Sequence, residues 1–371
     1  MTYSDNLSKV IDEVIAPAAR QVDREGKFPR EGLDALGNAG ILGLTVAAEH
    51  GGGGKGLAEA ADAVQQVGRA CGSTAMVLMM HYAATAVLAA HGPGSVLSDI
   101  AAGRHLSTLA FSEVGSRSHF WAPVSTAEVD GDTVTLNARK SWVTSAGQAD
   151  SYVWSSRPVA ADGMMTLWLV PSDSAGLSIP APFDGLGLRG NASSPVSAAS
   201  VRVGADARLG DDGAGLDVAF ATALPFFLIL NAAASVGLME AVIAATAGHL
   251  VETRLEHLKQ TLADQPSARA GLARMRITAD SVGVLLDDAI AALGSGRADA
   301  QLRLLEVKAA AAEASIQVTD LAMTVCGGSA FRTDLGIERR FRDARAARVM
   351  APTTEALHDF IGRALCGLPL M

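Results

Sequence analysis

Two glycine-rich runs are the first places in this sequence where phosphate chemistry suggests itself. Gly185-Leu186-Gly187-Leu188-Arg189-Gly190 has the GxGxxG form of a dinucleotide fingerprint. That motif needs a strand before it and a helix after it, so that the helix N-terminal N–H groups meet the pyrophosphate. Here Asn191 to Val203 alternate in a β pattern and no helix opens, which argues against a Rossmann reading. Gly54-Lys55 fails as a phosphate loop because Gly56 stands where a hydroxyl residue should follow the lysine. No HExxH, GxSxG or EF-hand spacing occurs, and the eight histidines form no cluster with metal-ligand spacing.

Any site must be positioned by a large, mostly helical chain. The 371 residues are 49% hydrophobic and 19% charged, which excludes disorder and provides for an extensive core. Aromatics are scarce and alanine abundant, a balance that suits long helices better than an all-β shell. Thirty Lys and Arg against thirty-nine Asp and Glu leave a net charge of −9, which argues against nucleic acid or an anionic membrane surface as partner. Cys71, Cys326 and Cys366 make no CxxC pair and no disulfide framework, as expected of a reducing, cytoplasmic setting. Near the N-terminus, Leu7, Val10, Ile11, Val14 and Ile15 recur at helical spacing with acidic residues between, unlike a signal peptide. The most apolar stretch, Ala219 to Gly237, contains Pro225, Asn231 and Ser235 and has no basic flanks. It reads as a buried core helix, not a membrane span.

The hydrophobic period changes twice along the chain. Helical spacing runs through Leu7–Ala19, Leu33–Leu44, Leu57–Val67 and Ala75–Ala90, broken by Gly51 to Gly54. Strict alternation then appears in Val124–Val129 and Thr133–Ala138 around Asp130-Gly131, a hairpin signal. It returns in Tyr152–Ser155 and Met165–Val170 around Asp162-Gly163, and again in Val196–Val203. Helical spacing resumes over residues 216–250, 266–293, 299–325 and 354–365. The expectation is an α+β multidomain chain: an N-terminal helical domain (1–110), a middle β-domain (111–210) and a C-terminal four-helix bundle (211–371).

Four segments, in order, resemble the acyl-CoA dehydrogenase family of FAD flavoproteins. Ala110-Phe111-Ser112-Glu113-Val114-Gly115-Ser116-Arg117-Ser118 is similar to its flavin loop, A-L-[ST]-E-P-x-A-G-S-D. Lys140-Ser141-Trp142-Val143-Thr144-Ser145-Ala146 is close to K-x-W-I-T-N-A. Gly185-Leu186-Gly187-Leu188-Arg189 resembles G-[LM]-G-x-R. Cys326-Gly327-Gly328, with Ile337-Glu338-Arg339-Arg340-Phe341-Arg342-Asp343-Ala344-Arg345, resembles G-G-x-G-Y…P-V-E-R-x-x-R-D-A-R. The resemblance implies α,β-desaturation of an acyl thioester, with a hydride passing to flavin N5. It assigns Trp142 to packing on the isoalloxazine and Thr144 to hydrogen bonding near N5. Phe111 and Ser112 contact the ring, and Ser118 reaches toward the pyrophosphate. Gly327 and Gly328 permit close backbone approach, and Thr353 bonds the cofactor. It further implies a homodimer or homotetramer, in which Arg254 and Gln265 hold the adenine end of a neighbour's FAD, and an electron-accepting flavoprotein partner. His257 and Leu258 depart from the family's Phe and Gly in that segment.

The family's catalytic carboxylate is where the sequence departs most. Met350-Ala351-Pro352-Thr353 stands in place of Y-E-G-T, so Ala351 occupies the glutamate position. A minority of members carry the base on the first long C-terminal helix, but Ala223 to Leu230 contains no carboxylate. Three readings remain open. A dehydrogenase takes its base from Glu355, the nearest carboxylate on that segment. A flavin-dependent monooxygenase of the same fold uses His81 or His358, the latter in a Leu357-His358-Asp359 run similar to one in a sulfur-oxidising member. A glutamate-less subunit completes the FAD sites of a catalytic partner.

Overall fold

The computed structural model describes residues 2–116 and 119–370. The chain divides into two compact units, one of residues 1–63, 76–184 and 189–227, the other of 64–75, 185–188 and 228–371.

The first unit begins with helices α1 (Tyr3–Val10) and α2 (Ala16–Glu25), joined by a π turn over Ile11–Ile15, and continues with α3 (Arg30–Asn38). Helix α4 (Leu57–Ala70) starts in this unit and ends in the second. Helix α5 (Gly72–His91) runs the opposite way, from the second unit into the first, and α6 (Gly94–Ala101) follows. Thr2 opens α1 with a capping box through Asp5. Strand β1 (Ser107–Ala110) lies inside the stretch expected to be wholly helical.

Two four-stranded sheets form the β part of this unit. One has the order β1, β4 (Ser151–Ser156), β5 (Thr166–Pro171), β8 (Arg208–Leu209), with β1 parallel to β4 and the other pairs antiparallel. The other has the order β2 (Thr126–Asp130), β3 (Thr133–Val143), β7 (Ser194–Gly204), β6 (Leu177–Ser178), antiparallel throughout. The expected Asp130-Gly131 hairpin joins β2 to β3, with Gly131 at φ 58°. Alternate residues of both sheets meet in one core, including Val134, Leu136, Val196 and Val201 from one and Tyr152, Trp154, Trp168 and Val170 from the other. Helix α7 (Gly215–Ala221) closes the unit.

Helix α8 (Ala223–Glu252) is separated from α7 by Thr222, although one continuous helix was expected. Pro225 has no N–H to offer residue 221, so the ladder breaks there and restarts with proline in the new first turn. The second unit adds a small hairpin of β9 (Arg254–Leu255) and β10 (Gln260–Thr261), then α9 (Pro266–Gly294), α10 (Ala300–Cys326), α11 (Ile337–Val349) and α12 (Thr354–Leu365). Helix α10 packs against α9, α11 and α12. Helices α4 and α8 cross at close range, because a Cβ on Gly68 would lie 3.1 Å from the Ala234 carbonyl oxygen. Helices α5 and α8 are long and apolar enough to cross a membrane, but 83% and 78% of their apolar windows are buried inside the fold.

Candidate active site

In the first unit the candidate flavin residues gather where β3 ends. The register of β3 against β7 slips between Lys140 and Val143, a bulge. Within it Trp142 adopts φ 56°, a left-handed conformation costly for a residue with a side chain, and its indole is 72% exposed. An apolar ring held outward on a strained bulge offers a flat face for a planar ligand. The Ser141 N–H donates to the Ser112 carbonyl at 2.9 Å, which brings the Phe111–Ser112 loop alongside this bulge. Phe111 stacks on Phe120 with ring centroids 6.3 Å apart. Thr144 is fully buried, its hydroxyl 3.1 Å from that of Ser193. Two hydroxyls that share one hydrogen bond retain one free O–H between them.

A buried ion pair anchors this arrangement from beneath. The Lys140 ammonium donates to Glu113 Oε1, to the Ser155 carbonyl at 2.7 Å and to its hydroxyl at 2.9 Å. Glu113 accepts further bonds from the Val124 and Ser125 N–H groups and the Ser125 hydroxyl. Burial pulls the Lys140 ammonium down to about 8 against the attraction of Glu113. Burial alone would raise the Glu113 carboxyl, yet Lys140 and its donors hold it below the ordinary value. The pair ties the loop after β1 to the strand that carries Trp142. Ser118 lies outside the described residues.

In the second unit the Gly185–Leu188 run serves packing. A Cβ on Gly187 would stand 2.5 Å from the Arg342 carbonyl oxygen, and the Leu188 N–H donates to Asp343 Oδ1 at 2.6 Å. The glycine that mimicked a nucleotide fingerprint is there because a helix backbone lies against it. Helix α11 runs toward the Met350–Thr353 crossover, which Lys308 holds. Its fully buried ammonium donates to the carbonyls of Ala347, Met350 and Pro352 at 2.8, 2.9 and 2.8 Å. Burial lowers the Lys308 ammonium to about 7, with Glu355 opposing. Pro352 immediately precedes Thr353, which caps α12 by accepting the Ala356 N–H. Sequence reasoning missed Lys308. Its one signal was a charge on the apolar stripe formed by Leu304, Leu305, Ala311 and Ala312.

Gly327 and Gly328 fit close approach by a ligand. Both are exposed, a Cβ on either would meet nothing within 4 Å, and Gly327 has φ 55°, ψ −139°. Among the described residues nothing requires glycine at Gly328, which leaves the bare backbone there open to an external group. Arg254 and Gln265 belong to the exposed β9–β10 hairpin and the turn after it. Arg254 lies 3.9 Å from Glu256, and the Gln265 amide donates to Gln260 at 3.0 Å. Within the first unit, the exposed flat indole of Trp142 near the buried Thr144–Ser193 hydroxyls suits the ring of a flavin.

The proposed proton-transfer groups are placed differently from expectation. Glu355 is not poised by burial: it is exposed and bonded to Arg348 at 2.9 Å, and this contact holds its carboxyl below the ordinary value. His358 is exposed, 3.7 Å from Glu313. His81 is fully buried with both ring nitrogens engaged, Nε2 with the Leu42 carbonyl and Nδ1 accepting the Ser107 N–H, each at 3.1 Å. Burial lowers it to about 4, so it is a neutral structural histidine with no nitrogen left for proton transfer. Among the described residues the only buried carboxylates are Glu113 and Asp343, and both are bonded as above.

The acyl-CoA dehydrogenase N-terminal, middle and C-terminal domain models match residues 2–95, 108–201 and 213–366. The probable acyl-CoA dehydrogenase YngJ of Bacillus subtilis is 28% identical over 95% of this chain and 93% of that protein. Butyryl-CoA dehydrogenase from Megasphaera elsdenii superposes with a TM-score of 0.91 at 22% identity, covering 99% of each chain. The prolyl acyl carrier protein oxidase AnaB does so with a TM-score of 0.88 at 22% identity, covering 98% of each. Three consecutive domain matches in the family's order, on a helical–β–helical chain, show that this protein belongs to the acyl-CoA dehydrogenase family.

Proposed function

We propose that the chain binds FAD and oxidises the acyl part of a thioester, by α,β-desaturation with hydride transfer to flavin N5. The observation that carries this reading is Trp142, an exposed indole fixed on a strained bulge beside the buried Thr144–Ser193 hydroxyl pair. FAD, when bound, supplies the hydride acceptor. Trp142 provides its flat packing surface, and the Thr144–Ser193 pair supplies one hydrogen-bond donor to the ring. Gly327 and Gly328 let the backbone approach, while Lys308 sets the position of Thr353 through Pro352. Arg254 and Gln265 serve a second copy's cofactor in a homodimer or homotetramer, and an electron-accepting flavoprotein reoxidises the protein. The solved relatives are named for butyryl-CoA and for prolyl acyl carrier protein, so both carriers belong in the test.

The lack of a buried, uncommitted carboxylate among the described residues favours a second reading, in which the chain completes FAD sites for a catalytic partner. Anaerobic mixing of the FAD-loaded protein with CoA and carrier thioesters separates the two. Bleaching of the flavin band supports the oxidoreductase. Retained FAD with no bleaching by any thioester supports the partner subunit.

A further inference from the structure

We propose that Asn231 is a specificity-determining residue that recognises a hydroxyl or amine on the acyl part of the substrate. This rests on the reading of the chain as an acyl-thioester flavoprotein. Asn231 lies on α8, one helical turn after Phe227, in a run where Leu228, Ile229, Leu230, Ala232 and Ala233 are all fully buried. It is itself 2% exposed. Its Nδ2 reaches only the Met350 thioether, at 3.3 Å, and its Oδ1 has no partner. Among the described residues it is the only buried amide side chain with an unsatisfied atom. Asn191, also buried, accepts the Ser193 N–H at 3.0 Å. A thioether is a weak acceptor, so the amide gives up water and receives almost nothing in return. Any neighbour's side chain type, leucine or alanine, would serve both helix and core better.

The placement gives the oddity a use. Met350 opens the crossover that Lys308 pins through the carbonyls of Met350 and Pro352, so Asn231 is held beside the segment containing Ala351. A polar atom kept unpaired there, at a cost in stability, fits a site that a ligand completes. A plain hydrocarbon chain has no partner for an amide, whereas a hydroxyl or amine has. Such a substrate also relaxes the need for a carbon base. Bound FAD would accept the hydride of the heteroatom-bearing C–H bond, while the heteroatom lone pair would form C=O or C=N and its proton would leave from oxygen or nitrogen to water.

The test is isothermal titration of the FAD-loaded protein and its N231L and N231A variants with butyryl-CoA, 3-hydroxybutyryl-CoA and 3-aminobutyryl-CoA. Thermal unfolding of each ligand-free variant is measured alongside. A polar thioester should bind at least ~10-fold tighter than butyryl-CoA. Both variants should abolish that preference, and N231L should raise the ligand-free midpoint by about 2–4 °C. Equal binding of polar and apolar thioesters overturns the proposal while leaving the acyl-thioester reading intact. So does a lowered midpoint in N231L, which marks Asn231 as structural. Should neither these CoA thioesters nor the same acyl groups on a carrier protein bind, both readings fall.

Discussion

The Leu188 N–H donates to the buried carboxylate of Asp343 at 2.6 Å, joining the loop before β7 to helix α11. Leu188 holds φ 51°, and Gly187 beside it has its α-carbon against the Arg342 and Asp343 backbone. A strained loop residue and a glycine are fixed in place by one helix turn. Gly187→Ala should therefore destabilise the chain by about 3 kcal/mol, since the clash is with backbone that cannot rotate away. Urea unfolding checks it, and a change below about 1 kcal/mol would show that α11 shifts to make room.

His81 predicts a pH dependence. Its value of about 4 in the folded chain lies below the ordinary 6.5, so between these values the unfolded chain binds more protons. Stability should fall as pH drops from about 6.5 to about 4, by up to roughly 3 kcal/mol from this group. His81→Gln should flatten the stability–pH curve over that window. An unchanged slope in the variant would contradict the assignment.

Lys308→Met should strip the carbonyls of Ala347, Met350 and Pro352 of their donor. The expected loss is about 3 kcal/mol or more, together with weaker FAD retention through Thr353. Calorimetry and flavin release measure the two effects. Full retention of both would remove Lys308 from the account.

What the sequence disclosed, and what it withheld, follows from which forces are local. The β2–β3 hairpin was legible because Asp130-Gly131 supplies its turn chemistry within two residues. Helix α11 was not, because Glu338, Arg339, Arg340, Arg342, Asp343, Arg345 and Arg348 erase any apolar period. Arg339 and Arg340 bond to the carbonyls of Ala70 and Arg69, and Arg345 to the carboxylate of Asp320, all groups distant in sequence. At the candidate site, Trp142 and Thr144 were readable only by resemblance, since a bulge depends on register between strands. Glu355 was expected on proximity in sequence, but its exposure and its bond to Arg348 are tertiary facts.

Ala351→Glu tests the reading that Ala351 stands where the family carries its catalytic carboxylate. If the segment held by Lys308 faces the substrate, the added carboxylate should raise the rate of flavin reduction by butyryl-CoA by about 10²–10⁴-fold. Stopped-flow anaerobic reduction is the assay. A variant that folds and binds FAD yet gains nothing would show that Ala351 is not beside the reacting carbon.

Titration of the cofactor-free protein with FAD, followed by flavin fluorescence, tests the central claim most directly. The account predicts saturation near one FAD per chain, and a dissociation constant at least ~10-fold weaker for Trp142→Ala, the cost of losing one aromatic stacking face. Absence of binding, or a Trp142→Ala variant that binds FAD as tightly as the parent, would contradict it.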